Sequence, residues 1–330
     1  MNSLDGHTSY IHGMEHIPTT PLPARTRLFG AVLRVLASEP SGGPQMVALR
    51  ARRARLIDSP PGRLVVGTDA AGVAVADRHI DNGIRLRIHT PAGTGPRPIV
   101  VNYHGGGWCL GSPEQSRWIA GRVAAQVGAI VVSPTYRLAP EHPYPAAVDD
   151  AWAALQWVRS NAAELGGDPD RIAVMGDSAG GNLAAVASLH ARDAGGPALR
   201  AQVLVYPAVE MYERWPSEAA HAHAPLLTSK QMRTFGRLYL GDGYGTEDWQ
   251  ASPIRAASHA SLPPALILTA GHDPLRDHGF RYADALRTAG VATEHHHYPD
   301  TIHGFAALPG VAPAAHTAAR DVVEFLRRAL

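Results

Sequence analysis

The run Gly176-Asp177-Ser178-Ala179-Gly180-Gly181 constrains this chain more tightly than any other stretch. It follows Arg171-Ile172-Ala173-Val174-Met175, an apolar run of buried-strand length. It precedes Asn182-Leu183-Ala184-Ala185-Val186-Ala187-Ser188-Leu189, an alanine-rich run that suits a helix. A serine with glycine two residues away on each side, set between a strand and a helix, has the form of a nucleophile elbow. The turn is tight enough that a Cβ at either flanking position would meet neighbouring backbone, which glycine avoids. The hydroxyl then stands at the strand's C-terminal end, facing the open N–H groups of the next helix. The competing reading is a glycine-rich connection carrying a solvated serine, and the partners further along the chain decide between the two.

The surrounding chain alternates apolar strands with helices. Strands are predicted over 99–103, 129–133, 171–175, 201–206, 265–269 and 293–298, and helices over 114–127, 145–163, 179–191, 277–289 and 314–330. Ahead of them, 72–76 and 84–88 have the character of an antiparallel hairpin joined around Asp81-Asn82-Gly83. This order predicts an α/β fold, a mostly parallel central sheet flanked by helices, with sites at the C-terminal ends of the strands.

Two parts stand outside that rhythm. A helix is predicted over 25–38, with Leu28, Val32, Val35 and Leu36 at helical spacing, and Glu39-Pro40-Ser41-Gly42-Gly43-Pro44 breaks it. A second helix over 45–56 carries Arg50, Arg52, Arg53 and Arg55, which read as a solvated face. Between Tyr206-Pro207 and Pro263-Pro264 lies more chain than a crossover needs. There Thr228-Ser229-Lys230-Gln231 has capping-box form, and Met232, Phe235 and Tyr239 follow on one helical face. The expected organisation is N-terminal cap helices over 1–60, a catalytic core over 61–209 and 263–330, and a cap segment over 210–262 inserted after the sixth strand. A plain surface excursion is the alternative for that insert.

Composition removes several classes of function. A net charge of +1 gives no electrostatic case for a nucleic-acid or anionic-membrane partner. One cysteine, Cys109, excludes an internal disulfide and a multi-thiolate metal site, and is compatible with a reducing cytoplasm. No stretch of about eighteen apolar residues occurs, and the first thirty residues hold no apolar run of signal-peptide length. The expectation is a cytoplasmic protein without stable membrane insertion, and a homodimer stays open.

A serine hydroxyl is a poor nucleophile at neutral pH, so it needs a general base, and the base needs an orienter. In elbow folds the order is serine, acid, histidine. Asp273 follows the predicted strand over 265–269 and a short turn, while Asp277 reads as a helix-terminal charge. His303 lies in a loop between the last strand and the last helix. His295, His296 and His297 fall within that strand, the outer two on one face, and read as strand or surface histidines because no further metal ligands are identifiable. His272, beside the acid, is the weaker candidate for the base. The strand at Ile99-Val100-Val101-Asn102-Tyr103 runs into His104-Gly105-Gly106-Gly107-Trp108, whose backbone N–H groups can reach a substrate oxygen, with the N–H of Ala179 as a further donor. Cys109 reads as a small packing residue.

Five segments in order resemble the hormone-sensitive-lipase-like carboxylesterases of the α/β-hydrolase superfamily. They are His104-Gly105-Gly106-Gly107-Trp108, Tyr136-Arg137-Leu138-Ala139-Pro140-Glu141-His142-Pro143, Gly176-Asp177-Ser178-Ala179-Gly180-Gly181, Asp273-Pro274-Leu275-Arg276-Asp277 and His303-Gly304-Phe305. The resemblance covers about residues 64–330 and departs from the usual pattern at His278 and at the histidine-rich last strand. It implies Ser178 as nucleophile, His303 as base and Asp273 as orienter. It also implies an oxyanion hole from Gly106, Gly107 and Ala179, a supporting part for the Arg137–Glu141 stretch, no cofactor or metal, and a small ester of short to medium acyl chain as substrate. An amidase or a natural-product deacetylase would use the same residues. A non-catalytic receptor on this fold and an interfacial lipase are the remaining alternatives.

Overall fold

Side chains alternate across a strand, so a continuous apolar run can be buried only where both faces of its sheet are covered. The computed structural model describes residues 20–36 and 43–330 and has that arrangement. Its strands are β1 (Val73–His79), β2 (Arg85–Pro91), β3 (Arg97–Tyr103), β4 (Ile130–Pro134), β5 (Gly167–Asp177), β6 (Leu199–Val205), β7 (Ala265–His272) and β8 (Thr293–Ile302). They form one sheet in the order β1-β2-β4-β3-β5-β6-β7-β8. β2 runs antiparallel to β1 and β4, and every other pairing is parallel. The expected hairpin is β1–β2, with Val73 opposite Pro91 and His79 opposite Arg85.

The helices are α1 (Ala24–Leu36), α2 (Gly43–Asp58), α3 (Pro60–Val66), α4 (Arg117–Val127), α5 (Ala146–Ser160), α6 (Ala179–Asp193), α7 (Pro216–Ala220), α8 (Ser229–Leu240), α9 (Arg276–Thr288) and α10 (Ala314–Ala329). Ile99, Val101 and Tyr103 of β3 pack in one core with residues of α5, α6 and α9. Val100, between them, packs in a second core with residues of α4 and α10. The helix predicted from 114 begins at Arg117, after a 3₁₀ turn over Pro113–Ser116. The strand predicted over 293–298 continues to Ile302. β8 lies at the sheet's edge, where Pro299 leaves no ladder bond unmade, and the extension carries the chain directly to position 303.

The N-terminal region departs further from expectation. The helix at 25–38 is present as α1, but Leu28 and Val32 are 68% and 45% exposed, while Thr26 and Gly30 are buried. The inward face is set by close approach: a Cβ on Gly30 would press on Pro225. The side chains of Val35 and Leu36, and most of the breaker that follows, lie outside the described residues. The arginine run of α2 is not one solvated face. Arg52 and Arg55 are exposed, whereas Arg50 and Arg53 turn inward on the side of Met46 and Ile57, as spacings of three and four residues require. α3 has no counterpart in the sequence reading. Its signal is Ser59, whose hydroxyl accepts from the N–H of Gly62, followed by Pro60 and Pro61 in the first turn.

The insert holds α7 and α8. Thr228 Oγ1 accepts from the N–H of Gln231, and Gln231 Oε1 accepts from the N–H of Thr228, the expected capping box. Asp277 is more than a helix-terminal charge. It is fully buried in the first turn of α9, accepts from the N–H of Ser217 at 2.8 Å and pairs with Arg276 at 3.0 Å, tying the insert to the core. Among the described residues no helix is long and apolar enough to cross a membrane.

Buried histidines make this fold acid-labile. Burial pushes His104 down to about 4 and His278 down to about 3, and His295 and His297 down to about 4. The unfolded chain binds these protons near 6.5, so below that pH it holds more protons than the native state, and stability is lost as pH falls toward 4. Each of the two fully buried rings, His104 and His278, adds a slope of up to about 1.4 kcal/mol per pH unit. Thermal melts are therefore expected to drop steeply from pH 7 to pH 4.5. A melting temperature that stays level across that range would contradict neutral burial of these rings.

Candidate active site

β5 hands over to α6 at Ser178, whose φ is +56° and ψ is −116°. That conformation is uncommon for a residue with a Cβ and stores about 1–3 kcal/mol of strain. The turn is held by the N–H of Ser178 on the carbonyl of Val205 at 2.9 Å, and by the N–H groups of Asn182 and Ala208 on the carbonyl of Ser178. A Cβ at Gly176 would fall on the carbonyl of Gly180, and a Cβ at Gly180 would fall on that of Tyr103. Strand, turn and helix therefore approach more closely than any other residue type at those positions permits.

The parallel strands bring three distant segments to this turn. Asp273 follows β7 and His303 follows β8. Ser178 Oγ lies 2.9 Å from His303 Nε2, and His303 Nδ1 lies 2.7 Å from Asp273 Oδ2. An ionised carboxylate only accepts, so Nδ1 carries the proton and Nε2 offers its lone pair to the hydroxyl. The other oxygen of Asp273 accepts from the N–H of Leu275 at 2.8 Å. Asp273 is wholly buried, His303 is nearly so, and the Tyr206 ring lies 4.7 Å from the imidazole.

The glycine loop follows β3, the strand beside β5. The N–H of Gly105 donates to Asp177 Oδ1 at 2.8 Å, and Gln115 Nε2 donates to its carbonyl at 3.0 Å. The carbonyl of Gly106 accepts from Leu110 at 2.9 Å. Among the described residues none accepts from the N–H of Gly106 or Gly107, and the N–H of Ala179 sits in the first turn of α6. Burial pushes the Asp177 carboxyl up to about 6, against the opposing pull of the Gly105 N–H and of His303. The segment behind the loop is rigidly held. Tyr136 stacks on His104 and donates to its carbonyl at 2.7 Å, Arg137 grips Asp150 with two side-chain nitrogens, and Arg50 bridges Glu141 and the carbonyl of Ala139.

All six residues singled out by sequence thus meet at one sheet edge: Asp273 is buried behind His303, and Gly106, Gly107, Ser178, Ala179 and His303 line a cavity of about 380 Å³. α1 and α2 contribute Phe29 and Ile57 to its walls, and α8 contributes Met232 and Phe235. The rivals lie elsewhere. His272 Nε2 contacts the carbonyl of Thr20 at 2.8 Å, and Asp277 faces Ser217. Burial pushes the Cys109 thiol up to about 12, which leaves it protonated and unreactive. His295 and His297 share one face, each 2.9 Å from Thr269 Oγ1, and His296 pairs with Asp321 on the other. Sequence reading missed Asp177 and Tyr206 as supports. Asp177 stood inside the elbow motif, but its contact with Gly105 required knowing that β3 lies beside β5.

A family model described as the alpha/beta hydrolase fold matches residues 100–307. The chain is 48% identical to carboxylesterase NlhH of Mycobacterium tuberculosis over 71% of its length and 74% of that protein's. It is 37% identical to carboxylic ester hydrolase LipN of the same organism, over 98% of this chain and 85% of that one. The crystal structure of a thermostable esterase from Pseudomonas putida ECU1011 superposes with a TM-score of 0.86 and 35% identity, covering 95% of this chain and 99% of the other. The chain belongs to the α/β-hydrolase family, within its hormone-sensitive-lipase-like carboxylesterase branch.

The tightness of the elbow can be tested apart from any activity. Gly180→Ala must displace the backbone of Tyr103 and is expected to cost about 1–3 kcal/mol or more. Gly243→Ala, with open space around its Cβ, is expected to stay within about 1 kcal/mol. Denaturant melts of the two variants that show equal stability would contradict the close approach.

Proposed function

We propose that this protein is a serine carboxylesterase that hydrolyses small esters of short to medium acyl chain through an acyl-enzyme. The observation that carries this reading is the hydrogen-bonded line from Asp273 through His303 to Ser178, which reaches a largely apolar cavity also lined by Gly106, Gly107 and Ala179. Ser178 Oγ attacks the ester carbonyl carbon as its proton passes to His303 Nε2. The carbonyl oxygen, now negative, is received by the N–H groups of Gly106, Gly107 and Ala179. The bond to the alkoxy oxygen breaks, and that oxygen takes the proton from His303. Water then attacks the acyl carbon, giving its proton to His303; the bond to Oγ breaks and the serine regains a proton. Asp273 stays ionised throughout and holds the ring in the tautomer that accepts from serine.

We further propose that 1–60 and 210–262 form a cap over the core at 61–209 and 263–330. Phe29, Ile57, Met232 and Phe235 would then form the acyl and alcohol pockets, which favours small esters and gives no part to a cofactor. The compartment in this reading is the cytoplasm.

Ser178→Ala is expected to fold with a normal melting temperature and to lose at least about a thousandfold in kcat on p-nitrophenyl esters. A series of increasing acyl length is expected to peak at short to medium chains, with matched amides turned over far more slowly. Retention of burst kinetics by Ser178→Ala would sink the assignment of the nucleophile. Faster turnover of amides than of esters would move the reading to an amidase.

A further inference from the structure

One charged group in the cavity has no part in the proposed reaction. α2 turns Arg50 and Arg53 to its inner side, one helical turn apart. Arg50 is fully engaged: Nε donates to the carbonyl of Cys109 at 2.9 Å, and its terminal nitrogens reach Glu141 and the carbonyl of Ala139 at 2.8–3.0 Å. Arg53 instead lines the cavity above Ser178, in a wall otherwise built of Phe29, Leu56, Ile57 and Val65. It is partly buried, and among the described residues it has no hydrogen-bond or ion-pair partner.

Among the described residues the cavity lining does not supply that partner. The one carboxylate among the described lining residues, Asp177, is occupied by the N–H of Gly105 on the floor. A guanidinium gives up part of its hydration in such a place, and burial accordingly lowers its pKa. Arg52 and Arg55 on the same helix are exposed, so α2 has room to place arginine in water. A planar fork of donors in an apolar wall matches a carboxylate in shape and charge.

We propose that Arg53 is a specificity-determining residue that selects ester substrates carrying a carboxylate away from the scissile carbonyl. This rests on the esterase reading given above and adds the substrate class: half-esters of dicarboxylic acids, or acyl esters of hydroxy acids. The carboxylate sits against the Arg53 guanidinium while the ester reaches Ser178 at the floor, and Arg53 binds substrate without moving a proton.

The test uses the whole protein and two matched substrate pairs. In one, the charge is on the acyl side, as in the mono-p-nitrophenyl ester of glutaric acid beside that of its monoamide. In the other it is on the alcohol side, as in the butyrate ester of 3-hydroxybenzoic acid beside that of 3-hydroxybenzamide. In at least one pair the acid is expected to exceed the amide in kcat/KM by about ten- to a hundredfold, chiefly through KM. That ratio is expected to fall as ionic strength rises, to collapse toward one in Arg53→Met, and to be partly kept in Arg53→Lys. A ratio at or below one in both pairs overturns the proposal, as does a preference that survives Arg53→Met. The wild-type ratio and its salt dependence decide the matter even if a variant fails to fold. Hydrolysis of the amide-bearing controls with no acid preference would leave the esterase reading standing. No Ser178-dependent hydrolysis of any of the four esters would sink that reading and the inference with it.

Discussion

The close passage of α6 beneath the end of β3 governs the rest of this molecule. Gly180 lies against the carbonyl of Tyr103 with no room for a side chain, so the turn between β5 and α6 can close only with Ser178 at positive φ. That conformation points the hydroxyl away from the core, toward the loops that end β3, β7 and β8. The same close passage brings Asp177 under the glycine loop, where it takes the Gly105 N–H, and the N–H groups of the next two glycines, which line the cavity, have no acceptor among the described residues. One steric constraint therefore sets both the serine and the glycine loop beside it, and the parallel order of the strands supplies the rest.

The electrostatics around this turn favour neutral groups and held charges. His104 and His278 are buried, the pull of the Gly105 carbonyl and Glu114 on His104 does not offset that burial, and both rings stay uncharged at neutral pH. The ring of His104 donates to the Gly105 carbonyl, and that of His278 accepts from the N–H of Val209. Both imidazoles thus act as packing groups that satisfy backbone polar atoms. Asp273, by contrast, is a buried carboxylate paired with His303, which is what the ring needs beside it if, as proposed, it carries positive charge transiently. In this setting Arg53 stands out, because it is partly buried and has no hydrogen-bond or ion-pair partner among the described residues, whereas Arg50 is paired and Arg52 and Arg55 are exposed.

Much of this was legible in the sequence, and the parts that were not share a cause. The alternation of apolar runs with helices located the six strands after the hairpin, and the elbow, glycine loop, Asp273 and His303 each announced themselves by residue type at a strand end. What failed depended on rotation or on long-range neighbours. The arginine run looked like one solvated face because charge composition does not tell which side of a helix is turned inward; the spacing of Met46, Arg50, Arg53 and Ile57 held that information. The helical spacing of Leu28 and Val32 located α1 but not its inward face, since it is Gly30 that marks the contact of that helix. α3 was overlooked although Ser59-Pro60-Pro61 is a recognisable helix start. The hold of Asp177 on the glycine loop was invisible until β3 was known to adjoin β5.

The central claim is that Ser178, His303 and the N–H groups of Gly106, Gly107 and Ala179 act on one carbonyl group. A crystal structure of the protein after reaction with an alkyl p-nitrophenyl phosphonate tests it most directly, because the tetrahedral adduct mimics the charged intermediate. The expected result is a covalent bond from phosphorus to Ser178 Oγ, with one phosphonyl oxygen within about 2.7–3.1 Å of those three N–H groups. An adduct on another residue, or a phosphonyl oxygen turned away from the glycine loop, would contradict it.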